Sequence, residues 1–400
     1  MAQATFEFSP LPIHAAQAAT GLDAIGFAIG WDHAHHRVTP PLAHLDGRNP
    51  VGQGWTAGRA AFGERRLRTT AAVRQWLALR LQAWQEGADF EDQQVNPAFL
   101  ARIDADVCPV SRVPLLLATG GADDATALRL NTAAAYAAGN LAVVSRQVAH
   151  AWGAEGCRGD WAAAQARAAA LAEGPSAPAE GELDADAWQR LVVLASFATP
   201  LPHAQAALLP LRVLPPNRVR VINPVQALQV MLTLQFSQAG YARRLLGLAA
   251  LVSGAEARQA FQIFMHTLLA RRLAVGPQAT PLELRQAMED TWADALVQRR
   301  WQRLASRLDA ASCETLLQRA SQRGLVVGGG RWLSTDAATD GWALPVPVPP
   351  AVRPALQRPT GRRPVHQSGT LSSRSVLPMP AALAARPGSE RSCGSQNAAS

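Results

Sequence analysis

Lysine is missing altogether: all 38 basic side chains are arginine. In a chain rich in Ala, Gly and Pro, that uniformity points to a coding bias, so arginine here is weaker evidence for phosphate recognition than usual. Aromatic residues make up only 6%, with 11 Trp, 10 Phe and 2 Tyr. The four cysteines, Cys108, Cys157, Cys313 and Cys393, stand alone with no C-x-x-C pair. That spacing argues against a disulfide scaffold and against a zinc knuckle. No apolar run reaches the ~18 residues of a membrane span. Met1–Glu7 has neither a basic nor an apolar leader region. The expectation is a cytoplasmic protein with no membrane partner.

What is present is apolar enough to fold. The hydrophobic fraction of 48% over 400 residues supports a buried core and allows two domains with a tail. The net charge of +8 is unevenly placed. Residues 351–400 carry seven arginines against Glu390 alone, leaving 31 arginines and 29 acids in the first 350 residues. The body is nearly neutral, so the total charge does not imply a basic folded surface.

Helical periodicity dominates. Thr69 or Thr70 can cap a helix whose Val73, Trp76, Leu77, Leu81 and Trp84 share a face, ending at Gly87. Asn96-Pro97, Asp160, Asp184 and Asn223-Pro224 are further starts, a cap followed in two of them by proline at the first helical position. Ser253-Gly254-Ala255-Glu256 and Thr280-Pro281-Leu282-Glu283 read as capping boxes. The second opens a long helix expected to carry Leu284, Met288, Trp292 and Leu296. Residues 15–30 suggest a helix weakened by Gly21 and Gly26, and residues 42–68, rich in Gly and Arg, read as irregular. The five prolines in 199–216 suggest an extended connection. Residues 325–333 suggest two short strands about Gly328-Gly329-Gly330. That glycine run lacks a following Lys-Ser/Thr, so it reads as a turn and not a phosphate loop.

The expected architecture is mainly α and multi-helical, with a small α+β, ββα-like insertion and a disordered C-terminal tail. The divisions are an N-terminal helical and irregular region (1–104), the insertion (105–155), a helix and linker (156–182), a helical C-terminal domain (183–344) and a basic tail (345–400).

The insertion carries the one recognisable local plan. It holds Cys108-Pro109-Val110, Arg129, Tyr136, Gly139-Asn140 and Val144-Ser145, and runs to His150. These residues resemble a segment of HNH-type endonuclease-like proteins, and the matching segment of a proteobacterial protein group with no assigned activity. The likeness covers about forty residues. It implies a ββα fold and, in the family, a divalent metal with Asp and His ligands and an Asn that orients the general base. Here the acid expected before Arg129 is Leu128, and the helix Asn falls at Ala149, with His150 one position late. A one-residue shift turns a helical side chain by ~100°. The module is therefore read as degenerate. Its candidate catalytic residues are Asn140, His150, Asp123 and Asp124, and its candidate nucleic-acid contacts are Arg129 and Arg146.

Asp32-His33-Ala34-His35-His36 is the densest set of potential metal ligands, Asp32, His33, His35 and His36, with His14 or His44 available to complete it. The same residues also suit a polar helix C-terminus. The doublets Arg243-Arg244, Arg271-Arg272 and Arg299-Arg300 make a nucleic-acid groove only if folding brings them together. Trp292 and Trp301 can stack bases, but their spacing fits a core stripe better. The expectation is a non-catalytic protein without a cofactor that binds a nucleic acid or another protein. The alternatives are a divergent metal-dependent nuclease and a purely structural module.

Overall fold

A computed structural model describes residues 21–174, 181–327 and 333–344. Among them run fifteen α-helices and one two-stranded antiparallel sheet, a mainly helical architecture with the small α+β element expected. Contacts divide the chain into Met1–Val346 and Pro347–Ser400. The expectations for the tail and for Gly328-Gly329-Gly330 lie outside the described residues. No helix among the described residues is long and apolar enough to cross a membrane.

The first two helices, α1 (Gly21–His35) and α2 (Pro50–Phe62), correct the irregular reading of 42–68. Asn49 caps α2, its side-chain oxygen accepting the Val51 N–H at 2.9 Å, and Pro50 fills the first turn. The glycines that suggested a loop instead permit helix contact. A Cβ on Gly30 would sit 1.9 Å from the Val51 carbonyl oxygen, and one on Gly54 1.9 Å from that of Phe27. The next two helices, α3 (Ala71–Glu86) and α4 (Pro97–Ile103), begin at Thr70 and Asn96 as the sequence predicts. Gly87 ends α3 in the left-handed conformation, φ 63°.

The hairpin joins β1 (Ala125–Arg129) to β2 (Leu141–Ser145), paired from Ala125 opposite Ser145 to Arg129 opposite Leu141. Helix α5 (Arg146–Gly153) follows at once, with Ser145 as its cap. Every residue of β2 is buried, because the sheet has a core on each face. Ala142 and Val144 face the C-terminal helices, while Leu141 and Val143 pack with Phe99, Leu100 and Ile103 of α4. The period-two alternation thus serves two apolar layers.

The remaining helices build the larger core: α6 (Trp161–Glu173), α7 (Ala185–Ser196), α8 (His203–Leu208), α9 (Pro224–Leu234), α10 (Tyr241–Ala249), α11 (Ala255–Ala274), α12 (Pro281–Asp290), α13 (Ala295–Ala305), α14 (Ala310–Gln322) and α15 (Thr335–Ala338). The Thr280/Glu283 capping box is formed in full. The Ser253 box is not: the cap is Gly254 at φ 83°, without a side-chain bond. The single helix expected after Thr280 breaks at a 3-10 turn, Thr291–Ala293, and Asp294 caps α13 with bonds to the Leu296 and Val297 N–H groups. The proline-rich stretch 199–216 contains α8, and Leu325–Val327 forms no strand. Trp292 and Trp301 are core, with ring centroids 5.6 Å apart and Phe264 beside both.

Candidate functional site

The ββα segment is held from inside. The Cys108 sulfur accepts the N–H groups of Ser111 at 3.5 Å and Ser145 at 3.3 Å, fastening the Cys-Pro-Val turn to the end of β2. Arg112, in the same turn at φ 63°, bonds Asp290 and Glu289 of α12. Glu289 is buried and accepts the Leu214 N–H at 2.9 Å. Burial pushes its carboxyl above the usual range against the pull of Arg285 and Arg112.

Asn140 has no exposed surface. Its oxygen accepts the Asn131 N–H at 2.8 Å, and its amide nitrogen donates to the carbonyls of Asn131 at 3.0 Å and Ala135 at 2.9 Å. The side chain closes the 131–140 turn and has no further donor to offer. Gly139, at φ 91°, lies under Arg220, whose Cγ would stand 2.4 Å from a Cβ there.

Asp124 sits at the opposite end of the hairpin, about 16 Å away along a strand of this length. It is buried and accepts from the Thr119 hydroxyl at 2.7 Å and the Thr119 N–H at 2.9 Å. The Gly120 N–H at 2.7 Å and Arg146 at 2.9 Å complete the set. The Thr119 hydroxyl, then the backbone donors and Arg146, hold its carboxyl below the usual range. Asp123 is half-buried beside it, and His150 is exposed in the last turn of α5. The structure therefore does not bring Asn140 and Asp124 together.

The candidate nucleic-acid contacts are engaged within the fold. Arg129 lies over the Tyr136 ring, 4.4 Å from its centroid, and pairs with Glu86 at 2.9 Å. Glu86 also accepts the Tyr136 hydroxyl at 2.8 Å. Burial, then Glu86, raises the Tyr136 phenol far above its ordinary value. Arg146 spends its guanidinium on Asp124 and the Gly120 carbonyl.

The N-terminal set is also dispersed. Asp32 pairs with Arg80, and buried His33 donates from Nδ1 to the Ile29 carbonyl at 2.9 Å. His35 stacks on Phe62 at 4.2 Å, and His36 meets the edge of Trp76. Burial lowers the pKa of both His33 and His36. Among the described residues no three His, Cys, Asp or Glu side chains are grouped to hold one metal ion.

Folding does unite two arginine doublets. Arg300 of α13 donates to the Thr267 hydroxyl of α11 at 2.7 Å, Arg271 of α11 pairs with the α13 cap Asp294, and Arg307 reaches Glu256 at 3.8 Å. These ties set α11 and α13 antiparallel. Residues 295–308 contain four arginines and no acid. Arg299, Arg303 and Arg307 recur every four residues on the exposed side. Among the described residues neither Arg299 nor Arg303 has a carboxylate in ion-pair reach. The spacing was visible in the sequence, but the position of Trp301 as a core anchor was needed to turn that row outward.

Comparison with protein-family models, curated proteins and solved structures finds no match to this chain.

Proposed function

We propose that this protein is a non-catalytic nucleic-acid-binding protein whose ββα segment is a structural keystone and whose phosphate-contacting face is the α11–α13 pair. The observation that carries the reading is the exposed pair Arg299 and Arg303 on α13, followed by exposed Arg307 in the turn after the helix, in a segment without an acid. Four residues of helix advance ~6 Å, so Arg299 and Arg303 stand about one turn apart and form a short ladder of cations that Arg307 extends past the helix end. Such a ladder neutralises phosphates and releases counterions. The keystone reading is supported by Asn140, Asp124, Arg129 and Arg146, each of which bonds to other groups of the fold itself.

The test is binding of a duplex DNA and a single-stranded RNA of the same length across a salt series, using the full chain and a variant with all three arginines changed to Gln. The seven tail arginines are common to both, so any difference belongs to α13. Affinity should fall steeply with salt, and the variant should flatten the log–log slope by about 2–3. Equal slopes would remove α13 from the interface. The competing nuclease reading is tested in parallel. Plasmid DNA with Mg²⁺, Mn²⁺ or Zn²⁺ should stay intact, and metal-dependent nicking lost in a folded His150→Ala variant would replace the proposal.

A further inference from the structure

A second feature lies away from α13. A cleft of about 970 Å³ opens between the 93–102 region, the Ala138-Gly139 turn, the strap 214–221 and helix α9. Its volume is at the upper end of what small-molecule sites use. The lining divides into two chemistries. Val230, Met231, Leu234, Leu317 and Val326 make an apolar wall, and Arg102, Arg218, Arg220 and Arg285 supply cations. Among the described residues no Asp or Glu lines the cleft.

The arginines differ in how far the fold already uses them. Arg285 is balanced by Glu289 at 3.2 Å and by the Leu214 and Pro215 carbonyls. Arg220 is half-buried, yet all its bonds go to neutral oxygens: Gln94 Oε1 at 2.9 Å and the carbonyls of Ala338 at 3.1 Å and Asp340 at 3.4 Å. Burial is the leading influence on this guanidinium and destabilises its charge, with Asp340 and Glu91 compensating only at a distance. Arg218, two residues away, is exposed, has no bonded partner among the described residues and is held at φ 64°. A non-glycine residue in that region is uncommon and costs free energy that surrounding structure must supply. A partly desolvated cation without a contacting carboxylate gains most from an incoming anion.

We propose that this cleft binds an amphipathic anion, a carboxylate or phosphate head on an alkyl body. Arg218 and Arg220 receive the head, and the α9 wall with Leu317 and Val326 receives the chain. An anion without a chain leaves the apolar wall wet, and a neutral lipid leaves Arg220 uncompensated. Both halves of the molecule are therefore required.

The experiment is calorimetric titration of the full chain with octanoate, decanoate, dodecanoate and dodecyl phosphate, each below its micellar concentration. Inorganic phosphate, dodecanol and dodecyltrimethylammonium are the controls. The expected result is saturable one-to-one binding of the alkyl anions, strengthening up to about fourfold per added methylene, with much weaker binding of all three controls. The dodecanoate and dodecyl phosphate arms distinguish the two head groups. Arg218→Ala, at an exposed residue without partners, should weaken dodecanoate about tenfold, the scale of one charge-assisted hydrogen bond. Arg220→Gln should do at least as much, and circular dichroism checks that it folds. Arg303→Gln should leave dodecanoate binding unchanged, which separates this site from the α13 face. Absence of saturable binding, equal binding of dodecanol, or indifference to Arg218→Ala would each overturn the proposal.

Discussion

Asn140 bonds both backbone groups of Asn131, accepting from its N–H at 2.8 Å and donating to its carbonyl at 3.0 Å. One buried amide thereby imitates a backbone strand and carries the hairpin pairing into the turn. Asn131 extends the link, its own amide nitrogen reaching the Ala198 carbonyl beyond α7 at 2.9 Å. An Asn of this kind in a ββα segment is read from sequence as part of a metal site, but here both its N–H donors and its oxygen are engaged by the turn.

Asn140→Ala should therefore act on stability. It strands one buried N–H, that of Asn131, and one buried carbonyl, that of Ala135, while the Asn131 carbonyl keeps the Ala134 N–H at 3.2 Å; each stranded group costs ~1–3 kcal/mol if fully unsatisfied and less if the turn relaxes. We expect a loss of about 2–4 kcal/mol in urea unfolding, with nucleic-acid affinity per folded molecule unchanged. A stable Asn140→Ala protein with lost binding would return Asn140 to a functional role.

The α1–α2 contact gives a second prediction. Gly30→Ala and Gly54→Ala each place a methyl within 1.9 Å of a backbone oxygen on the facing helix, so the helices must separate. Overpacking of this kind costs about 1–3 kcal/mol, and more where backbone cannot shift. Gly21→Ala meets nothing within 4 Å and should be neutral or stabilising, since Ala favours a helix over Gly by ~1 kcal/mol. Thermal melts of the three variants suffice. Equal melting temperatures would mean that the close approach is not stability-limiting.

That contact also shows where sequence reading succeeds and fails. Thr70, Asn96, Asp160, Asp184 and Thr280 were legible because capping is local chemistry, a side-chain oxygen facing N–H groups two or three residues on. Helix α2 was not, because Gly52, Gly54 and Gly58 have poor intrinsic helix propensity and are tolerated only through tertiary packing. The signal available was the four-residue spacing of Gly26 with Gly30 and of Gly54 with Gly58. The break after Asp290 was hidden because Trp292 continues the apolar stripe, while Asp294 marked the new start. The hairpin and α5 were expected only through the resemblance of the segment ending at His150 to a ββα module. Their polar residues were misleading as a site because burial, which sequence does not show, decides whether an Asn or Arg is free.

The two capping sequences provide a matched pair. Thr280→Ala removes a formed box and should cost ~1 kcal/mol. Ser253→Ala should cost a few tenths at most, because Gly254 caps α11 without help from the Ser253 side chain. Chemical denaturation of both variants measures the difference. A comparable loss at Ser253 would mean that a box forms there in solution.

Asp124 makes the stability of the hairpin end depend on pH. Its folded pKa is lowered, first by the Thr119 hydroxyl, then by the Thr119 and Gly120 N–H groups and Arg146, against an opposing effect of burial. A carboxylate whose pKa is lower folded than unfolded contributes stability above its unfolded value, ~3.9. That stability disappears as pH falls through the folded value, because both states are then protonated. Asp124→Asn removes the charge and leaves an amide that cannot accept from all four donors. The melting-temperature gap between the parent and Asp124→Asn should thus be widest and flat from pH 7 to about 5, and should narrow as the pH drops below about 4. Arg146→Gln should shrink the gap only modestly, since Thr119 and Gly120 supply most of the donors and Arg146 is half-exposed at 51%. A gap that stays constant down to pH 3, or one that widens in acid, would mean that Asp124 is not ionised in the folded hairpin and that its four bonds do not act as a charge trap.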